Sequence, residues 1–218
     1  MKLLLPLLCL LTLWAKAQSN GDIVIGKTDT VYSHILNEKR RILVRLPHDG
    51  TSPFFRGQRY PVIYLLDGDS HFPSVMGLIQ QLTEVNSNSL FPDMILVGIP
   101  NTNRQRDLTP TLAKTSPYGD SNSVRGTGGG ENFTAFIEKE LIPHIDSLYP
   151  TAPYRILIGH SLGGLMVINT LINHPNLFSA YLAIDPSMWW DDRKLLKQAG
   201  TVLARQKIPR QDPLSRYR

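Results

Sequence analysis

The chain has 218 residues, 42% of them hydrophobic, and a formal charge of +5 from 23 Lys and Arg against 18 Asp and Glu. A chain of this length can bury one ordinary core, and its single cysteine excludes an internal disulfide framework or a thiolate metal cluster. The basic excess does not describe a nucleic-acid surface: Lys2 and Lys16 fall in a leader, and five basic residues against Asp212 crowd positions 205–218 with no helix or aromatic ladder to present them.

In chain order, Met1-Lys2, the apolar run Leu3 to Trp14 and the small-x-small pattern Ala15-Lys16-Ala17 read as a cleavable secretory signal over residues 1–17. The run is shorter than the roughly 20 apolar residues of a membrane span, and it contains Cys9. The expected product is therefore exported to a periplasmic or extracellular space, with no membrane span and no cysteine. Residues 30–36 and 40–46 are β-rich and read as an antiparallel hairpin turning at Asn37-Glu38-Lys39. Residues 60–66, 94–99, 154–158 and 181–184 are short, nearly continuous apolar strands, as in a parallel sheet covered on both faces. Helical spacing appears over 72–84, 132–148 and 163–173, as in Phe133, Phe136, Ile137, Leu141, Ile145 and Leu148.

This alternation predicts an α/β three-layer sandwich with a mostly parallel sheet over residues 18–204, followed by a patternless basic tail at 205–218. The polar stretch 109–130 contains Gly126, Gly128, Gly129 and Gly130. No lysine-plus-hydroxyl pair follows them, so it reads as a flexible surface connection and not as a phosphate cradle.

The chemistry concentrates at Gly159-His160-Ser161-Leu162-Gly163-Gly164. A G-x-S-x-G frame between the strand 154–158 and a helix places Ser161 on a sharp elbow with its hydroxyl exposed above the carboxyl end of the sheet. Glycines suit such a turn because backbone meets backbone there. Ser161 reads as a nucleophile toward an acyl carbonyl, and the N–H of Leu162 as an oxyanion donor. A second donor is expected from Leu66-Asp67-Gly68-Asp69, with the amides of Gly68 or Asp69 as candidates, the alternative being a plain Asp-Gly turn. His71 reads either as lining the pocket mouth or as a helix-capping residue. His160 also falls beside the pocket, although its place next to Ser161 on an extended strand turns it away from the hydroxyl.

Arg41-Ile42-Leu43-Val44-Arg45-Leu46-Pro47, Tyr60 to Gly68, Asn103-Arg104-Gln105-Arg106-Asp107-Leu108-Thr109-Pro110, Gly159 to Gly164 and Asp185-Pro186-Ser187-Met188-Trp189-Trp190 are five separate blocks. With them the chain resembles the esterase-D-like family of α/β-hydrolases, most closely its siderophore-esterase branch. The resemblance implies a serine hydrolase of carboxylic esters (siderophore, feruloyl or acyl) that works through an acyl-enzyme on Ser161, with a small-molecule ester as partner, no cofactor and no metal. In the same blocks, Arg104, Arg106 and Asp107 read as a structural ion pair holding their loop, the alternative being a substrate contact. Trp189 and Trp190 either wall an acyl or aromatic pocket or cap the core.

The family order is Ser, then acid, then His. Of the 57 residues after Ser161, only His174 is a histidine. It lies 13 residues on, about 20 Å along a helix at ~1.5 Å per residue, beyond reach of the serine. Asp185, after the last strand, is the acid candidate, and no histidine base is found. The expectation is an α/β-hydrolase domain lacking its last C-terminal strands. Two alternatives to hydrolysis stand beside it: a catalytically impaired binding protein, or an acyltransferase.

Overall fold

The computed structural model describes residues 23–47, 57–84, 90–113 and 124–205. The stretches expected to be a leader (1–17) and a basic tail (beyond residue 205) lie outside the described residues.

Strands β1 (Lys27–Ser33) and β2 (Glu38–Arg45) pair antiparallel with Val31 opposite Arg40. Their turn closes earlier than the sequence suggests, so Glu38 and Lys39 begin β2 instead of forming the turn. Ser33 is the cause: its Oγ accepts the Leu36 N–H at 2.9 Å and donates to Glu140 at 2.5 Å. Asn37 then takes the left-handed conformation at φ 53°, which asparagine tolerates better than most residues.

The parallel part consists of β3 (Tyr60–Leu66), β4 (Ile95–Ile99), β5 (Thr151–His160) and β6 (Ala180–Ile184). The sheet runs β1-β2-β4-β3-β5-β6; β2 meets β4 antiparallel, and the pairs from β4 through β6 are parallel. Every residue of β3 is buried, because alternate side chains enter two different cores. Val62, Tyr64 and Leu66 join Phe133, Phe136 and Leu165 on one face. Ile63 and Leu65 join Phe72 and Ile79 on the other. This is the three-layer α/β arrangement, with a mixed sheet of six strands.

Helix α1 (Gly68–Glu84) covers the second face. It starts four residues before the predicted helix, because the Asp67 carbonyl already accepts the N–H groups of Ser70 and His71 at 2.9 and 3.1 Å. The first face is covered by α3 (Gly130–Phe136), a π turn (Ile137–Leu141), α4 (Ile142–Leu148), α5 (Leu162–Asn173) and α6 (Trp190–Arg205); the short α2 (Arg104–Asp107) precedes them in the chain. The predicted helix 132–148 thus contains a widened turn, just before Pro143, which has no N–H to continue the ladder. Helix α6 escapes the sequence reading. Asp191, Asp192 and Arg193 at its start adopt left-handed angles, so no continuous helical pattern begins at Trp190.

The glycine run does not form a free connection where it is described. The N–H groups of Gly128, Gly129 and Gly130 donate to Thr109 Oγ1, the Arg106 carbonyl and the Thr109 carbonyl at 2.8, 2.9 and 3.0 Å. Those amides are occupied, so they make no phosphate cradle. No helix among the described residues is long and apolar enough to cross a membrane.

A buried charge network ties the hairpin to this frame. Arg40, 1% exposed, donates to Asp107 at 2.7 Å, to Glu38 at 2.8 Å and to the Pro100 carbonyl at 3.3 Å, and it stacks over Phe133 and Phe136. Arg106 closes the ring, reaching Asp107 at 2.7 Å and Glu38 at 2.6 Å. Asp107→Ala should destabilise the protein by about 3 kcal/mol in urea unfolding, since it strips a buried guanidinium of its deepest partner. Hydrogen bonds from Arg106, and then from Arg40, hold the Glu38 carboxyl below the ordinary value of 4.5 against the opposing effect of burial. The folded state therefore binds fewer protons at this group than the unfolded one. Its contribution is complete above about pH 4.5 and is lost as pH falls through the lower folded value. Stability measured from pH 6 to 3 should drop less steeply in Glu38→Gln than in the parent.

Candidate active site

Strand β5 delivers the chain to Ser161, which adopts φ 58° and ψ −116° before α5 begins at Leu162. A residue with a Cβ holds such angles only when its surroundings over-determine them. Three backbone hydrogen bonds do so: Ser161 N–H to the Ile184 carbonyl at 3.1 Å, and the Leu165 and Ser187 N–H groups to the Ser161 carbonyl at 2.9 and 3.0 Å. The glycines are required by contact. A Cβ on Gly159 would strike the Gly163 backbone, and one on Gly164 would lie 3.0 Å from both the Ile184 carbonyl oxygen and Pro186 Cα.

The β3–α1 junction meets the elbow directly. A Cβ on Gly163 would stand 3.1 Å from Asp67 Oδ2 and 3.4 Å from Leu66 Cβ. Two helix N-termini, those of α1 and α5, therefore adjoin. The amides of Gly68 and Asp69 open α1, and that of Leu162 opens α5; first-turn amides have no intrahelical carbonyl to bond. Their partial positive charge suits an oxygen that gains negative charge between them.

Asp67 anchors this junction. It too is left-handed, at φ 52°, and only 3% exposed. Its carboxylate takes Arg104 Nε at 2.6 Å, Arg104 Nη2 at 3.0 Å and Asn101 Nδ2 at 2.7 Å, and Asn101 Nδ2 also reaches Asp69 at 3.1 Å. The bond to Asp67 raises the Arg104 pKa further above its already basic value. The reading of Arg104, Arg106 and Asp107 as a structural group thus resolves into two assemblies: Arg104 holds the β3–α1 junction, while Arg106 and Asp107 hold the hairpin.

The other candidates disperse. His71 and His160 meet edge to face with ring centroids 5.7 Å apart. Trp189 is 45% exposed, whereas Trp190 is buried and donates from Nε1 to the Thr111 carbonyl at 3.2 Å, so of the two readings Trp190 caps the core. Asp185 follows β6 with φ 43° and an exposed side chain that makes no hydrogen bond with any described residue. His174 caps α5 through its N–H to the Thr170 carbonyl at 2.7 Å, and its ring meets Glu131 at 3.2 Å. Among the described residues, no cluster of His, Cys, Asp and Glu is arranged to hold a metal ion.

Sequence reasoning passed over Ser187. Its hydroxyl lies 3.1 Å from that of Ser161. The only sequence signal was its place in the Pro-Ser-x-Trp-Trp block, which does not say that the loop folds back onto the elbow.

A family model described as "Putative esterase" matches residues 33–216. A ferri-bacillibactin esterase, BesA, of Bacillus subtilis is 34% identical over 173 residues, 74% of this chain and 59% of the relative. A siderophore enterobactin esterase of Emericella nidulans is 29% identical over 160 residues, 68% of this chain and 53% of the relative. The crystal structure of an IroE-like serine hydrolase from Shewanella oneidensis superposes with a TM-score of 0.77 at 38% identity, covering 84% of this chain and 57% of that one. The chain thus spans somewhat more than half the length of the proteins it matches.

The packing at the elbow makes Gly159→Ala expected to cost about 3 kcal/mol or more, because the clash is with backbone and cannot be relieved by a rotamer change. Gly77→Ala, in α1 with open space around it, should instead be neutral or stabilising by about 0.5–1 kcal/mol. Thermal unfolding of the two variants checks the contrast, and equal midpoints would contradict it.

Proposed function

Because the chain belongs to this esterase family of α/β-hydrolases, we propose that it acts on carboxylic esters through an acyl-enzyme on Ser161. The observation that carries this reading is the strained elbow at Ser161, beside the adjoining starts of α1 and α5. The Oγ attacks the ester carbonyl, the new C–O bond forms, and negative charge gathers on the former carbonyl oxygen. The N–H of Leu162 and that of Gly68 or Asp69 donate to this oxygen. Collapse expels the alcohol, which departs with the proton released by Ser161, and water then hydrolyses the acyl-enzyme.

Support for a substrate class comes from the relatives, which include a ferri-bacillibactin esterase and an enterobactin esterase. We infer a siderophore-type ester or lactone, received on the side of the site where His71 and His160 stand together, by an exported protein. One observation favours a second reading, in which acylation outpaces deacylation: among the described residues the hydrogen-bond partner of the Ser161 hydroxyl is Ser187, not a histidine.

Release of p-nitrophenol from p-nitrophenyl acetate, followed from the first seconds for the parent and Ser161→Ala, tests both readings. Steady turnover that vanishes in Ser161→Ala is the outcome expected of hydrolysis, and a burst of about one equivalent without turnover is that of the second reading. Equal rates in the two proteins would overturn the assignment of Ser161.

A further inference from the structure

The end of β6 and the loop that follows it hold the elbow by side chain as well as by backbone. Ile184 receives the Ser161 N–H, the Ser187 N–H reaches the Ser161 carbonyl, and the two hydroxyl oxygens stand 3.1 Å apart. Ser187 is only 4% exposed, and among the described residues its hydroxyl bonds to Ser161 alone. A buried hydroxyl left without a partner is destabilising, so Ser187 Oγ has a standing reason to remain on Ser161 Oγ. Ser161 gains from the same bond. A serine χ1 has three staggered wells of similar energy, and a hydroxyl that samples all three spends part of its time pointing away from the acyl carbon.

We propose that Ser187 is a positioning residue for the nucleophile: its hydroxyl selects one rotamer of Ser161 and keeps Oγ at a fixed place relative to the amides of Leu162 and the β3–α1 junction. The proposal rests on the reading of Ser161 as nucleophile. A hydroxyl suits the task because it both accepts and donates. At rest the two hydroxyls share one hydrogen bond in which either oxygen can be the donor. Once Ser161 Oγ carries an acyl group and has no hydrogen left, Ser187 donates to it, so one side chain serves both states without gaining or losing a proton.

The test compares the parent, Ser187→Ala, Ser187→Thr and Ser161→Ala in covalent labelling by an alkyl fluorophosphonate, with the first-order rate separated from the binding constant. Ser187→Ala should label about three- to tenfold more slowly at unchanged binding, the worth of one hydrogen bond. Ser187→Thr, which keeps the hydroxyl, should recover most of the rate. Labelling of Ser187→Ala at the parent rate overturns the proposal, as does Ser187→Thr labelling as slowly as Ser187→Ala. A crystal structure of Ser187→Ala gives a reading independent of reactivity: Ser161 Oγ is expected in more than one rotamer, and a single unchanged rotamer overturns the proposal. If the parent labels no faster than Ser161→Ala, the nucleophile reading fails, and the crystal structure alone decides the role of Ser187.

Discussion

Ser161 occupies a backbone conformation that costs a side-chain-bearing residue on the order of 1–3 kcal/mol, and its neighbours are arranged to impose it. The constraint comes from three sides. Strand β5 brings the chain in, α5 takes it away through the Leu165 N–H, and the end of β6 with the segment after it binds the N–H and C=O of the same residue. Because β6 is hydrogen-bonded to β5 along Ile156 to His160, that last clamp is rigidly indexed to the strand that carries the elbow. The strain is thus sustained by sheet pairing, which is cooperative, and not by any single side chain.

A second feature connects distant parts of the fold. Residues 101–107 supply Asn101 and Arg104 to the β3–α1 junction and Arg106 and Asp107 to the hairpin, so one short segment beyond β4 ties the edge hairpin to the centre of the sheet. The two sets of carboxylates differ in environment. Asp67 and Asp107 are almost fully buried and are each met by a guanidinium, whereas Glu38 lies nearer solvent between two arginines. Buried pairs of this kind contribute little net stability over an apolar replacement, but they penalise any alternative placement of the segment.

The parts of this molecule legible in its sequence were those governed by periodicity and by backbone strain. Strands β3 to β6 and helix α5 follow from short apolar runs and helical spacing, and the elbow from glycines where two backbones touch. What escaped depended on partners distant in the chain. Ser33 shortened the hairpin turn by reaching Glu140, more than a hundred positions away. The three glycine amides near residue 130 looked free because Thr109 and Arg106 are not adjacent to them in sequence. Ser187 was invisible for the same reason: its relation to Ser161 exists only once β6 has paired with β5. Trp189 and Trp190, adjacent and chemically equal, could not be told apart until the fold buried one and exposed the other.

The adjoining starts of α1 and α5 carry a consequence for how this site tolerates change. The amides at these helix starts belong to the peptide backbone, and no side-chain replacement short of proline removes them. The vulnerable positions are instead those where a methyl group has no room, such as Gly68, whose Cβ would lie 2.6 Å from the Ile99 nitrogen. Side chains that face solvent have room to change, while residues that face only other backbone do not. A scaffold of this kind accordingly tolerates change at its outer side chains while its innermost glycines stay fixed.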